Sequence, residues 1–500
     1  MDVNIVRQTL EALKSSQSKP IMDPRFGELG KASTFSQSGS ATSGLTYYDL
    51  EPGAKLLYPV LTPLRNEIPR VPGKGGIQAN WRAITAINSG GVRAGVSGGN
   101  RGGVIAVTTQ DYIAAYRGIG LETNVDFEAE YAAENFDDVR SLAVLNGLQA
   151  LMLQEEPMIL GGNSTAVALG TTPTPTLADV GTGGTLAYNT QFSVICVALT
   201  LDAVVNGTVA GGIQANIVRT NADGSSDTFG GGAAQKSANQ TVTTANDSNN
   251  THSITASVTN VVGALGYAWF WGAAGSELLG AITSGPSYTV AATATGTQTA
   301  ASLPSADWSK NALAFDGLIY QAFKSGSNSY LANIAGTLTG DNAGGVTQID
   351  TALKSMWDNY RLSPDTMWVN SQQALDISKK ILAGGSTGAQ RFVFEMKPSD
   401  LGGGVMVRTY LNRFSMGGAK VIDIKVHPNM PAGCILMTTK VTPYPLSNVG
   451  NVMQIRSRRE YYQIEWPLRS RKYEYGVYAD QVLQHYFPPS MAVLYNITAG

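Results

Sequence analysis

Apolar and polar positions change rhythm several times along the chain. Val6, Leu10 and Leu13 recur at helical spacing beside Arg7, Glu11 and Lys14, so residues 1–16 predict an amphipathic helix rather than an export signal. Residues 17–70 have no period. They are polar and then studded with Pro20, Pro24, Pro52, Pro59, Pro63 and Pro69, which forbids long helices and predicts an extended arm lying on another surface. Two alternating runs, 81–87 and 104–112, flank a tip rich in glycine from Gly90 to Gly103 and predict a long β-hairpin. Val139, Leu142, Leu145, Leu148 and Met152 then mark residues 127–160 as the longest helix, with a stop at Pro157, Gly161 and Gly162.

The texture changes abruptly afterwards. Positions 171–300 hold two basic residues (Arg219, Lys236) and six acidic ones (Asp179, Asp202, Asp223, Asp227, Asp247, Glu277) among Thr, Ala, Gly and Val. Short alternating runs at 192–200, 213–218 and 267–271 predict a small all-β sandwich. Helical spacing returns at 314–323 and at Val346, Ile349, Leu353, Met356 and Tyr360, where Ser363 and Pro364 end the helix. A strand at 367–369 and a helix at 371–382 follow. Near the end Tyr462, Ile464 and Trp466 alternate with Gln463 and Glu465, a half-exposed strand repeated at Tyr473, Tyr475 and Val477. Two α+β stretches that look incomplete alone thus bracket a low-charge sandwich, the pattern of a domain inserted into a host.

Composition narrows the function. With 35 basic and 37 acidic residues the chain is not a basic nucleic-acid reader, while 56 glycines and 14% charged residues describe a surface that prefers to be covered. Cys196 and Cys434 lie far apart, and His252, His427 and His485 form no ligand set, so neither a disulfide framework nor a metal site is expected. The apolar stretch 261–275 is too short to cross a membrane and reads as buried strand. Two G-x-S-x-G matches, around Ser97 and Ser386, lack the strand-to-helix turn of a nucleophile elbow, so no catalytic residue is assigned; a hydrolase would need one of these serines near His427 or His485. Glu155-Glu156 and Asp137-Asp138 are expected on the long helix, facing solvent or another subunit.

Arg456, Arg458, Arg459, Arg469, Arg471 and Lys472 run among Tyr461, Tyr462, Trp466 and Tyr473. Such a mixture could stack and neutralise a nucleic-acid strand. Glu460, Glu465 and Glu474 alternate through it, however, which favours intersubunit or intrasheet ion pairs. Trp269-Phe270-Trp271 could form a sugar platform, but on a central strand an aromatic is the core plug.

The order of parts, together with Asn146-Gly147 through Ile159-Leu160-Gly161-Gly162-Asn163, Trp357-Asp358-Asn359-Tyr360, Ser363-Pro364-Asp365, Trp368-Val369-Asn370, the run from His427 to Gly433 and Trp466-Pro467-Leu468 to Tyr478, resembles the major capsid protein of tailed double-stranded DNA phages. The resemblance covers about 370 of the 500 residues. It implies an α+β, Hong Kong 97-like fold: N-terminal arm (1–75), E-loop hairpin (76–122), P-domain with spine helix (123–165), A-domain and return (304–455) and C-terminal P-domain strands (456–500). The insertion (166–303) resembles immunoglobulin-like or fibronectin type III-like modules. The resemblance further implies a non-enzyme without cofactor, self-assembling as hexamers and pentamers in the host cytoplasm into the virion shell. Expected partners are further copies, a portal protein, a separate scaffolding protein, a decoration protein and packaged DNA held without sequence readout, with no membrane. Arg82, Arg93, Arg101, Glu155, Glu156, Arg456, Arg458, Arg459, Arg469 and Arg471 are the candidate intersubunit contacts. No fused N-terminal scaffold is expected. The alternative is a bacterial surface or adhesion protein, for which Asn206-Gly207-Thr208 would serve as a glycosylation site.

Overall fold

The computed structural model describes residues 57–133, 137–221, 224–383, 406–417 and 420–500. The expected helix at 1–16, most of the proline-studded arm and Ser386 lie outside them. The first described elements are helix α1 (Pro63–Glu67) and strands β1 (Arg70–Pro72), β2 (Gln78–Ile87), β3 (Val107–Ala115) and β4 (Arg117–Asp126). Helices α2 (Phe127–Ala132) and α3 (Val139–Gly161) follow. The next stretch contains β5 (Thr176–Val180), β6 (Gln191–Leu199), α4 (Leu201–Asn206), β7 (Asn216–Thr220), β8 (Ser226–Gly230), β9 (Gln240–Thr243), β10 (Ser253–Ser257), β11 (Gly266–Gly272), β12 (Leu278–Thr283) and β13 (Ser287–Val290). Then come α5 (Leu318–Phe323), β14 (Tyr330–Gly336), α6 (Thr347–Tyr360), β15 (Thr366–Val369), α7 (Ser371–Ala383), β16 (Thr409–Asn412), β17 (Lys420–Val426) and β18 (Ile435–Thr438). The chain closes with β19 (Met453–Glu465), β20 (Lys472–His485) and β21 (Ala492–Ile497).

The expected hairpin is present: β2 and β3 pair antiparallel from Gln78↔Ala115 to Ile87↔Val107, with a bulge between Ile84 and Ala86. The expected single helix over 127–160 is not. Two helices form instead, and Asp137-Asp138 precedes α3 rather than riding on it. Pro157 lies inside α3, which runs on to Gly161 because Ile159 and Leu160, both 0% exposed, anchor its last turn in the core.

α3 lies against a four-stranded sheet of order β1-β19-β20-β4, closing Ile119, Leu151, Val477 and Ala479 into one cluster. A six-stranded mixed sheet, β14-β21-β18-β15-β17-β16, carries a second core with Ile349, Leu353 and Met356 of α6. Arg361 closes α6 in the left-handed conformation, φ 55°, two residues before the expected stop.

Between them, a three-stranded sheet (β13-β10-β5) packs on a four-stranded one (β12-β11-β6-β9). Trp269 and Trp271 fill the space between the sheets, while Phe270 enters a second cluster on the far face with Ile195 and Val197. With all three aromatics buried, the sugar-platform reading fails. β6 and β11 are covered on both sides, so they read as continuous apolar runs rather than the alternation expected at 192–200. Strand order also departs from the immunoglobulin pattern: β5 and β6, the first two strands, sit in different sheets, whereas an immunoglobulin sandwich pairs its first two strands in one.

Two chain crossings join sandwich and host. Asp316 accepts the backbone N–H of Ser164 and Thr165, each at 2.8 Å, and Asn163 Nδ2 donates to Ser309 O at 2.9 Å. Gly162 allows this approach, since a Cβ there would lie 2.3 Å from Phe315 O.

Candidate functional site

Glu155 and Glu156 stand in the apolar last third of α3 and are both 0% exposed. A buried carboxylate must be paired and hydrogen-bonded, and each is. Glu156 Oε1 and Oε2 accept the backbone N–H groups of Leu64 and Arg65, both at 2.8 Å, at the otherwise uncapped start of α1. His427 completes it: Nδ1 accepts the Asn429 N–H at 3.1 Å, so the ring proton is on Nε2, which donates to Glu156 Oε1 at 2.6 Å. Glu155 gathers Arg70 Nη2 at 2.5 Å, Arg65 Nε at 3.1 Å, Gln481 Nε2 at 2.6 Å and the Tyr461 hydroxyl. Burial and then the charge of Glu155 push the Tyr461 hydroxyl up to about 12, so it stays protonated and donates.

One turn further along the arm, Glu67 pairs with Lys425 and with Lys440 Nζ at 3.1 Å. Segment 62–72 is therefore pinned by three carboxylates to α3, to the C-terminal sheet and to β17. Motif residues separated in sequence meet here: Trp368 packs edge-on against His427 with ring centroids 5.7 Å apart, and Asn370 Nδ2 donates to Met430 O at 2.7 Å. Every carboxylate is engaged by a cation or a backbone donor, which fits a keystone between layers and leaves no free base, nucleophile or open position. Among the described residues no three or more His, Cys, Asp or Glu are placed to hold a metal ion.

The expectation that Glu155 and Glu156 face solvent or another subunit is thus corrected: their partners are inside the chain, because α3 turns this end into the core. Arg82 is also satisfied within the chain, gripping Asp111 across the hairpin at 2.6 and 2.8 Å. Arg93 and Arg101 lie exposed at the hairpin tip with no ion pair among the described residues. In the basic run, Arg458 pairs with Asp480 at 2.9 Å and Lys472 with Asp126 at 3.3 Å, both within the sheet, while Arg459 stacks on Tyr462 at 3.7 Å. Glu465 takes Arg140 of α3 at 3.1 Å. Arg456, Arg469 and Arg471 have no carboxylate partner among the described residues. Ser97 sits at the exposed tip, accepting Asn100 Nδ2 at 2.6 Å, and His427 is fully occupied, so a hydrolytic pair does not form there.

Sequence reading missed Arg65, Arg70, Glu67, His427, Tyr461 and Gln481. The available signal was two adjacent acids flanked on both sides by Leu151, Met152, Met158, Ile159 and Leu160, a position where a solvated face is impossible.

No protein-family model and no curated protein matches the sequence. Among solved structures the chain is similar to the capsid of Myoviridae phage XM1, at 10% identity and TM-score 0.38, covering 92% of this chain and 97% of that one. It is similar to the capsid of a native GTA particle, at 9% identity and TM-score 0.40, covering 92% and 100%. A third is the holo-SrpI encapsulin complex of Synechococcus elongatus PCC 7942, at 8% identity and TM-score 0.36, covering 91% and 92%.

Proposed function

We propose that this chain is a structural, non-enzymatic shell subunit, the major capsid protein of a tailed double-stranded DNA bacteriophage. The hairpin carries the reading. Ile84, Ile87, Val107 and Ile113 are 64, 71, 51 and 62% exposed on a ribbon of two strands. An isolated two-stranded hairpin is marginal in water, and apolar surface of this kind marks a contact with another protein. Further copies of the chain, arranged as hexamers and pentamers, are the covering that a repeated shell supplies.

The parts then take their roles: an arm clipped to the body by the buried carboxylates, a hairpin reaching outward, a stiff helix-on-sheet body and a mixed α/β layer. The sandwich belongs on the exterior, since inside it would compete with packaged DNA while offering two basic residues to neutralise phosphate. A portal, a separate scaffolding protein and a decoration protein are the further partners, the virion is the location, and assembly occurs in the host cytoplasm. Electron microscopy of the purified chain tests the proposal: closed shells or ring-shaped capsomers are expected, and a monomer under all assembly conditions overturns it. Arg93→Glu with Arg101→Glu should give a folded subunit with a low particle yield, because exposed pairs worth about 0.2–1 kcal/mol each are multiplied over a shell. Normal yield would remove the tip from the contact.

A further inference from the structure

Alternation on β4 and β20 puts Gly120, Glu122, Glu474, Gly476 and Tyr478 on one face of the C-terminal sheet, while Ile119, Val477 and Ala479 turn the other way, to Leu151 of α3. The β7–β8 ribbon of the sandwich reaches that outer face. Between ribbon and sheet lies a cavity of about 550 Å³, lined by Glu122, Glu474 and Tyr478 from the sheet, Trp466 and Arg469 from the β19–β20 loop and Arg219 from the ribbon. All six are exposed or half-buried, so solvent and solutes reach them. Two walls are fixed in advance. Tyr478 lies flat over Gly120 and Gly476, its hydroxyl donating to Glu122 Oε1 at 2.7 Å with the Trp466 indole beside it. Burial and then Glu122 push that hydroxyl up to about 12, so it keeps its proton and leaves the second oxygen of Glu122 to accept. Arg219 pairs with Asp227 at 3.0 Å and donates from Nε to Asn221 Oδ1 at 3.2 Å. Glu474 and Arg469 reach the cavity with no ion pair among the described residues.

We infer that this cavity is a binding site for a neutral sugar, one or two rings of a glycan. Its volume is that of a small-ligand site. Charge then narrows the class. With Arg219 already neutralised by Asp227, two carboxylates face one free guanidinium, so a phosphate or nucleotide, which needs an array of cations, meets net negative charge. A lone cation is disfavoured in turn, because Arg219 and Arg469 share the same space. A sugar fits both halves of the lining. Each hydroxyl donates and accepts, so neighbouring hydroxyls can use Glu122 and Glu474 as acceptors and Arg469 as donor together. The C–H face of the ring sits against the negative face of Tyr478 or Trp466. The fixed ring and the fixed arginine lower the ordering cost of binding. The inference does not rest on the shell reading; it needs only the ribbon of the sandwich seated over the sheet.

Calorimetric titration of the full-length protein with maltose, cellobiose, lactose and diacetylchitobiose tests the inference. At least one should bind with a Kd of about 1 mM or tighter. Arg469→Ala and Glu474→Gln, which change the cavity wall and leave the core intact, should each weaken that binding at least about fivefold without lowering the melting temperature. Arg471→Ala, in the same loop but outside the cavity, should leave it unchanged. Absence of heat with all four sugars up to about 20 mM overturns the site, since a Kd of about 1 mM would be saturated there. Sugar binding that survives both wall variants lies elsewhere and overturns it equally. Displacement of the sugar by inorganic phosphate would overturn the neutral class.

Discussion

Glu155 holds two arginines, a tyrosine and a glutamine from three different parts of the chain, so its removal leaves cations stranded in a dry site. Glu155→Ala should cost about 3 kcal/mol, read as a lowered urea midpoint at constant slope; a change below about 0.5 kcal/mol would show that Arg65 and Arg70 reach water. His252 gives a pH-dependent counterpart. Its side chain is 0% exposed and lies between Asp179, 3.0 Å from Nδ1, and Asp247, 2.9 Å from Nε2. Both ring nitrogens face carboxylates, so both carry protons. The hydrogen bond to Asp247 and the charge of Asp179 raise the imidazole above 6.5, and His252 lowers Asp247 from 3.8 to about 2. Stability from the raised group is complete below 6.5 and lost as pH rises through the folded value; that from Asp247 is complete above 3.8 and lost as pH falls toward about 2. The melting advantage of the wild type over His252→Gln should therefore be greatest between those limits and shrink as pH rises through the raised value of the imidazole. A flat difference would exclude the charged clamp. Neither site was legible in the sequence, since pairing across 73 residues for His252 and Asp179, or 271 for Glu156 and His427, leaves no local spacing to read.

Elements were more legible than side-chain partners because periodicity is a local signal. The α6 and α7 spacings and the alternation of Tyr462, Ile464 and Trp466 all correspond to what folds. What failed has a common cause in burial: β6 and β11 lose alternation because both faces are covered, and α3 passes Pro157 because its end is anchored. Glycine on β4 and β20 has a reason visible only in three dimensions. A Cβ at Gly120 would lie 2.0 Å from Tyr478 Cδ1, and one at Gly476 2.2 Å from Cε2, so the two glycines let that ring lie flat on the sheet. Gly120→Ala should lift the ring and destabilise the sheet by about 1–3 kcal/mol, measured by thermal melting; a neutral result would mean the ring has another resting place. The sandwich is tied in as well as inserted. Leu201 and Leu265 are buried in the host core, and Tyr320 accepts the Leu201 N–H at 3.2 Å while donating to Gly263 O at 3.0 Å. Replacing 171–300 by a short glycine linker should leave a folded host that melts lower than the full chain. An unfolded product would show that the host core depends on these contacts.

The shell proposed above would have few covalent options. Some members of the family it resembles join a lysine of the hairpin loop to an asparagine of a neighbour, which requires a neutral amine that can attack a side-chain amide; a guanidinium remains protonated and cannot. No lysine occurs between Lys74 and Lys236, so the hairpin carries arginine alone, and Lys74 precedes its first strand. Disulfides are no substitute, because Cys196 and Cys434 are both buried and unpaired, one inside the sandwich and the other in the host core. In the proposed shell, cohesion between copies must then come from covering the apolar hairpin and from charge contacts repeated over many copies. Each is weak alone and all are reversible in detergent. Particles boiled in detergent with reductant should therefore run as a single band near 52.7 kDa. A ladder of multiples would require a bond that this hairpin has no amine to make.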